Sequence, residues 1–367
     1  MSRIVVALDS FKGSIGASAA CAALADGWRG ERPDDEIVLR PMADGGEGTR
    51  DAFAAAAPAA CRMPVTVVGP HGRPVEAFWL LLPDRTGVIE LASTSGIELL
   101  AGALRPWDAD TVGFGQAIAA ALDHGVERLV LGIGSSASTD GGAGMLTALG
   151  ARLQESDGEP IGPGLRGLDA IVHVDLVGVR ALPPGGAVVL SDVTHPLLGA
   201  RGAAAVFGPQ KGLAAHDIDG ADATLARFAG LLPADTAAPG AGAAGGTGFA
   251  LLAWGARIVP GARAVAELIG LPAAIAHADL VITGEGSFDG QSMHGKAPGE
   301  VARSAAAAGV PVALVAGAVT DRGSLDRFTA SVALLDLAGS REASLADPTR
   351  WLRTAGARLA AYRSQEG

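Results

Sequence analysis

Lysine is nearly missing from this chain. Of 28 basic residues in 367, three are lysine (Lys12, Lys211 and Lys296) and the rest are arginine. The three occur in "DSFKGS", "FGPQKG" and "MHGKAPGE", each beside glycine and each between periodic segments rather than on a helix face. A solvated helix position is served equally well by arginine. A compact ammonium held in a loop acts as a point charge toward a phosphate or carboxylate oxygen, a role in which arginine is no equivalent. Cysteine is almost as scarce. Cys21 and Cys61 lie in alanine-rich surroundings without metal-ligand spacing, and both read as small buried thiols rather than a disulfide.

Long apolar runs are also lacking. The nearest approach to the roughly 20 residues of a membrane span is "GFALLAWGARIVPGA", which Arg257 and Pro260 interrupt. Met1 leads directly into "RIVVALDS", without the pattern of a signal peptide, so a cytoplasmic protein is expected. A net charge of −11 argues against nucleic acid as a partner. It leaves small anions open, because a local cluster of donors binds an anion on an acidic protein. Several catalytic motifs are absent: there is no G-x-x-x-x-G-K-[ST], no Cys/His metal spacing and no G-x-S-x-G elbow. "GAGAAGG" has the letters of a dinucleotide loop, but it follows a proline-containing loop rather than a strand.

What is present reads as α/β. The apolar share of 49% supports sizeable cores, and the length suggests two domains. "RIVVAL" and "DEIVLRPM" are short buried strands, each followed by a glycine-rich loop and a helix. Residues 63 to 91 offer three strand-like runs split by "GPHGRP" and "PDRTG", an antiparallel meander. Helix 112 to 123, strand "RLVLGIG", a helix near 142 to 150 and strand "AVVLSD" follow, then helices past residue 216, at 246 to 255 and at 261 to 270. Strand "ADLVITGEG", helix "APGEVARSAAAAG", strands "VPVALVAG" and "ASVALLDL" and a closing helix from 342 to 362 complete the pattern. Short apolar strands alternating with helices indicate a parallel sheet covered on both faces. The expected organisation is a Rossmann-like parallel-sheet domain from residues 1–60 plus 271–367, with a mixed α/β domain, 61–270, inserted into it.

Ligands of open α/β sheets bind at the carboxyl ends of the strands, and here five strand exits each deliver a carboxylate. They are Asp9 with Ser10 and Lys12, then Asp44 with Glu47, "SSASTDGGAG" with Ser136 and Asp140, then Asp192, and finally Glu285 with Asp289, His294 and Lys296. One Asp-Gly is an ordinary turn; five such exits point to a site. Lys296 also opens a helix, whose free N–H groups favour an anion. Carboxylates with lysines and no nucleophile motif suit phosphoryl transfer, which needs a divalent cation on carboxylates, cations on the moving phosphoryl group and a base beside the acceptor hydroxyl.

The segments "ALDSFKGSIGASAA", "PMADGGEGT", "GIGSSASTDGGAGM", "DVTHPLLGARGAAAVFGPQKG", "PGAGAAGGTG" and "VITGEGSFDGQSMHGK" together resemble the bacterial glycerate kinases of type 1. The resemblance covers residues 4 to about 316. It implies ATP-dependent phosphorylation of D-glycerate, mainly to 2-phosphoglycerate, with Mg2+ as cofactor. It also implies a Rossmann-like domain and a second α/β domain with the active site in the cleft between them. Carried over by position, Asp192, Lys296, Lys211 and Asp9 are the expected catalytic residues, Asp192 as base or Mg2+ ligand and the two lysines on phosphates. Ser10, Lys12, Asp44, Glu47, Ser136 and His294 would bind substrate or phosphate, and Asp140, Glu285 and Asp289 the metal. The chain departs from the family pattern at Ser135 and Thr139 (usually Gly and Asn), His195 (Asn), Ser287 (Arg), Phe114 and Gln116 (a hydroxyl and a carboxylate). These positions bear on which acceptor is taken. A kinase of a related hydroxy acid and an inactive nucleotide- or anion-binding regulator stay open beside glycerate kinase. A nicotinamide-dependent oxidoreductase is disfavoured by the setting of "GAGAAGG". Partners are expected to be small molecules, with neither nucleic acid nor membrane, and a homo-oligomer is compatible with the sequence.

Overall fold

The computed structural model of the chain describes every residue except Gln291, His294 and Gly367. The chain divides into two compact units. Met1–Asp44, Asp51–Pro58 and Pro260–Gly367 form the first, Gly45–Arg50 and Ala59–Val259 the second. The chain rejoins the first unit at Pro260 rather than at residue 271, because helix Gly261–Leu268 packs with helices Leu271–Ile275 and Ala297–Ala308. The short Gly45–Arg50 segment goes with the second unit. Glu90 accepts hydrogen bonds from the Arg50 backbone N–H at 2.7 Å and from Arg50 Nε at 3.0 Å. Gly45, at φ 98°, presses so close that a Cβ there would stand 2.3 Å from the Leu190 carbonyl oxygen, which only glycine tolerates.

The first unit is built on a five-stranded sheet in the order Ala330–Ala333, Val312–Val319, Leu280–Phe288, Arg3–Leu8, Glu36–Leu39. Every pairing is parallel. Ile4, Val6 and Leu8 enter one core with Leu24 and Trp28 of helix Ala17–Glu31 and Leu352 and Leu359 of helix Pro348–Glu366. Val5 and Ala7 point to the opposite face and are equally buried, with helix Ala297–Ala308 packed against the same strand. Burial on both faces explains why Arg3–Leu8 reads as an unbroken apolar run, whereas Glu36–Leu39, at the edge of the sheet, is half-buried at most rather than buried as expected.

The second unit carries a six-stranded mixed sheet, ordered Arg257–Val259, Ala187–Leu190, Arg128–Gly132, Thr86–Glu90, Pro74–Leu81, Cys61–Val68. The last three strands form the antiparallel meander, and the other pairings are parallel. Helix Val112–His124 places Phe114, Ile118 and Ala121 in the core over this sheet. Strand Arg257–Val259 and the antiparallel pair Arg152–Gln154/His173–Asp175 are too short to carry a period-2 signal, and the sequence gives no sign of them. Cys21 is buried as expected; Cys61, at the start of the edge strand, is exposed.

Three other differences concern the first unit. The "VITGEG" strand continues to Phe288 in register with Val319, so Glu285 and Ser287 stand on a strand rather than in a loop. "ASVALLDL" is a strand only to Ala333 and turns into helix Leu334–Ala338. The closing helix is interrupted at Asp347, where the following proline disfavours helical backbone, leaving helices Arg341–Ala346 and Pro348–Glu366. No described helix is long and apolar enough to cross a membrane.

Helices Ala17–Glu31 and Pro348–Glu366 cross with backbones almost touching. A Cβ on Gly356 would lie 2.1 Å from the Leu24 oxygen, and one on Gly27 1.9 Å from the Arg353 oxygen. Gly356→Ala is therefore expected to destabilise the fold by about 2–3 kcal/mol, read as a lowered midpoint of thermal unfolding.

Candidate active site

In the first unit the strand order reverses direction beside strand Arg3–Leu8: the chain steps to Glu36–Leu39 on one side, and the later strands extend from the other. The crevice beyond the carboxyl ends of the two strands flanking such a switch point is where doubly wound sheets bind ligands. Here those strands are Arg3–Leu8, leading into Asp9, and Leu280–Phe288, which carries Glu285. The Asp9 N–H donates to the Gly284 oxygen at 2.8 Å, continuing the ladder and fixing Asp9 opposite Glu285. Asp44, beyond the second strand, closes on the same point. Burial, then the Asp44 and Glu285 charges, push the Asp9 carboxyl from its ordinary 3.8 to about 7, against a 2.6 Å hydrogen bond from the Ser10 N–H and the charge of Lys12. Burial also raises Glu285, opposed by the Ser292 hydroxyl and Lys296. Its Oε1 is buried without a hydrogen-bond partner among the described residues.

Lys296 caps helix Ala297–Ala308 from an extended backbone, and its Nζ stands 3.6 Å from Asp289 Oδ1 and 3.9 Å from Glu285 Oε2. These are loose contacts that an incoming anion can compete for. Lys12 is exposed on the loop after Asp9. Asp9, Ser10, Lys12, Asp44, Glu285, Asp289 and Lys296 line one cavity of about 450 Å3. Seven of the thirteen anticipated residues thus converge in the first unit. The same cavity extends to Leu334, Leu335, Arg341, Ser344, Leu345 and Pro348. None of these was anticipated, because leucines in a segment read as strand and closing helix carry no chemical signal.

The other anticipated residues belong to the second unit, except His294, which lies outside the described residues. Lys211 is 2% exposed, and its Nζ donates to Ser136 Oγ at 2.6 Å and to the Ser138 carbonyl. Burial lowers it to about 7, against the nearby Asp140 charge. The ammonium thus braces the "SSASTDGG" loop from inside rather than facing a ligand. Asp140 is fully buried and accepts five hydrogen bonds: from Thr111 N, Thr111 Oγ1 and Gly144 N on one oxygen, and from Ser138 Oγ and Gly142 N on the other. The expected metal role of Asp140 is corrected by that geometry, since no lone pair is left for a cation. Glu47 and Asp192 are exposed on loops following strands.

The sequence profile of the glycerate kinase family matches residues 4–364. The chain belongs to the glycerate kinase family. It is 42% identical to a glycerate kinase of Bacillus subtilis (strain 168) over 87% of this chain and 85% of that one. It is also 42% identical to a glycerate 2-kinase of Escherichia coli (strain K12), over 87% and 86% of the two chains. A protein of Salmonella typhimurium LT2, solved under the name glycerate kinase 2, superposes with a TM-score of 0.87 at 39% identity, covering 100% of this chain and 99% of that one. Membership makes the chain a kinase acting on a small hydroxy acid.

As a glycerate kinase family member the chain carries its departures mostly in structural places. Phe114 is core, with its N–H on Ser95 Oγ. Gln116 Oε1 accepts the Val68 N–H at 2.7 Å and closes the end of an edge strand. His195 Nδ1 lies 2.9 Å from the Arg201 oxygen, its ring edge-on to Phe207. Thr139 is buried with its Oγ1 unpaired among the described residues. Ser287 differs from all of these, because it lines the first-unit cavity.

Two outcomes follow. Asp9 holds its proton more tightly folded than unfolded, so its contribution to stability is full below pH 3.8 and is lost as pH rises toward 7. Asp9→Asn is expected to remove that loss, so that the variant gains on the native chain by a few kcal/mol between pH 4 and 7 in urea unfolding at stepped pH. Ser135 sits at φ 58° with an exposed side chain, a conformation costing an L-residue about 1 kcal/mol. Ser135→Gly is expected to recover about that much in the same assay.

Proposed function

We propose that the chain is an ATP-dependent glycerate kinase of type 1 that phosphorylates D-glycerate to 2-phosphoglycerate. The observation that carries this reading is the charged end of the first-unit cavity, where a carboxyl of pKa about 7 stands among ammonium groups. A base poised near the working pH is what accepting a hydroxyl proton requires. In the proposed step Asp9 takes the proton of the acceptor hydroxyl as its oxygen bonds to the γ-phosphorus. The bond from that phosphorus to the bridging oxygen breaks, and ADP leaves. Lys296 and Lys12 hold the phosphate oxygens as point charges.

A divalent cation fits this end. Asp9, Asp44, Glu285 and Asp289 outnumber the two lysines, so a bare polyphosphate would meet net repulsion. The unpaired Glu285 Oε1 is an acceptor waiting for a hard cation. Mg2+ arriving on ATP would use one or two carboxylates besides phosphate. Glu285 and Asp289 would hold it, and the ion would neutralise charge on the phosphates. Ser287, which lines this cavity and departs from the resembled family pattern, favours a second reading in which a related hydroxy acid is the better acceptor.

ADP release measured across glycerate, erythronate and tartronate tests the assignment; no release with any of them would leave a non-catalytic binder. With the preferred acid, kcat/KM is expected to rise tenfold per pH unit below about pH 7 and to level off above it. Lys296→Ala is expected to lower turnover by at least about a hundredfold with an unchanged circular dichroism spectrum. Near-native turnover in that variant would remove Lys296 from the mechanism.

A further inference from the structure

The first-unit cavity is too long for the acid it is proposed to serve. It runs across the carboxyl ends of the strands, from Asp9 beyond Arg3–Leu8 to Leu334 beyond Ala330–Ala333, and Leu280–Phe288 and Val312–Val319 lie between. Three strand intervals amount to roughly 14 Å. A three-carbon acid cannot span that distance, and a nucleoside triphosphate can. The two ends also differ in chemistry. All the acids and both lysines of the cavity stand at the Asp9 end. The far end is walled by Leu334, Leu335, Leu345 and Pro348, with Arg341 as its one cation.

Two details of that end call for a ligand. Leu345 stands 45% exposed at the lip of the cavity, its side chain open to a ligand there. The Arg341 guanidinium makes no ion pair or hydrogen bond among the described residues, whereas the cavity's Lys296 is paired. Ser340 caps the helix that carries both, its Oγ accepting the Ala343 N–H at 3.1 Å, so the two side chains are presented from a fixed turn. An apolar wall beside an unpaired guanidinium suits a flat heteroaromatic ring, which packs on leucine and stacks under arginine. We infer that the segment Leu334–Pro348 is the nucleoside pocket of this kinase. Arg341 and Leu345 hold the purine base while Lys12 and Lys296 hold the phosphates. The inference rests on the ATP-dependent reading above.

The test is calorimetric titration of the full chain with ADP and, separately, with inorganic tripolyphosphate, both with Mg2+, comparing native protein with Arg341→Ala and Leu345→Ser. Both side chains are exposed, and circular dichroism checks that the variants fold. ADP is expected to bind about five- to twentyfold more weakly to each variant, with tripolyphosphate unchanged. Equal ADP affinity in native and variant chains would overturn the inference and leave the kinase reading standing. Equal weakening of both ligands would overturn it too, placing the two residues on the phosphates. If the native chain binds no ADP, the ATP-dependent reading itself falls, and the pocket with it.

Discussion

The first unit depends on the crowding of three carboxyl groups, Asp9, Asp44 and Glu285, at the switch point of a parallel sheet. Parallel register holds them there: the Asp9 backbone is tied to Gly284, and Glu285 is locked on a strand paired along its length with Val312–Val319. Such a cluster is unfavourable in an empty protein, because burial and like charge both resist ionisation. The fold tolerates it by keeping the Asp9 proton to about pH 7 and by placing Lys12 and Lys296 alongside. The same features make the cluster useful. A carboxyl that changes state near neutrality is a base, and unspent negative charge recruits a cation-bearing polyphosphate.

The scarcity of lysine acquires two different meanings. Lys12 and Lys296 reach an open cavity, where a compact charge can meet an oxygen from several directions. Lys211 is sealed, and its ammonium serves Ser136 Oγ and the Ser138 carbonyl. Gly245 leaves it room, since a Cβ there would lie 2.9 Å from the Lys211 Nζ. Loop context in the sequence is the same for all three, so only packing separates a ligand-facing lysine from a bracing one.

Much of the fold was legible because burial on both faces writes itself as apolar runs, and the meander at residues 61–90 because its turns are punctuated by Gly and Pro. The charged end of the cavity was legible for a similar reason: Asp9, Asp44, Glu285 and Lys296 stand out against alanine and glycine. Asp140 looked the same, but its oxygens are taken up by five donors, three from its own loop and two from the distant Thr111. The apolar end was invisible. Leu334, Leu335 and Leu345 read as ordinary core, and the breaks that turn them toward the cavity, at Ala333 and at Asp347 before Pro348, are local backbone events. Nor does the sequence show that Phe114 is core or that Gln116 closes a strand end.

The central claim is that the sheet edge holds Asp9 protonated until near neutrality. The direct measurement is a 13C titration of the aspartate carboxyls in the ligand-free protein, with the Asp9 resonance assigned by its loss in Asp9→Asn. A midpoint near pH 7 is the predicted result. A midpoint near 4, that of an ordinary aspartate, would contradict the account, because the carboxyl cluster would then be neither buried nor coupled enough to supply the base.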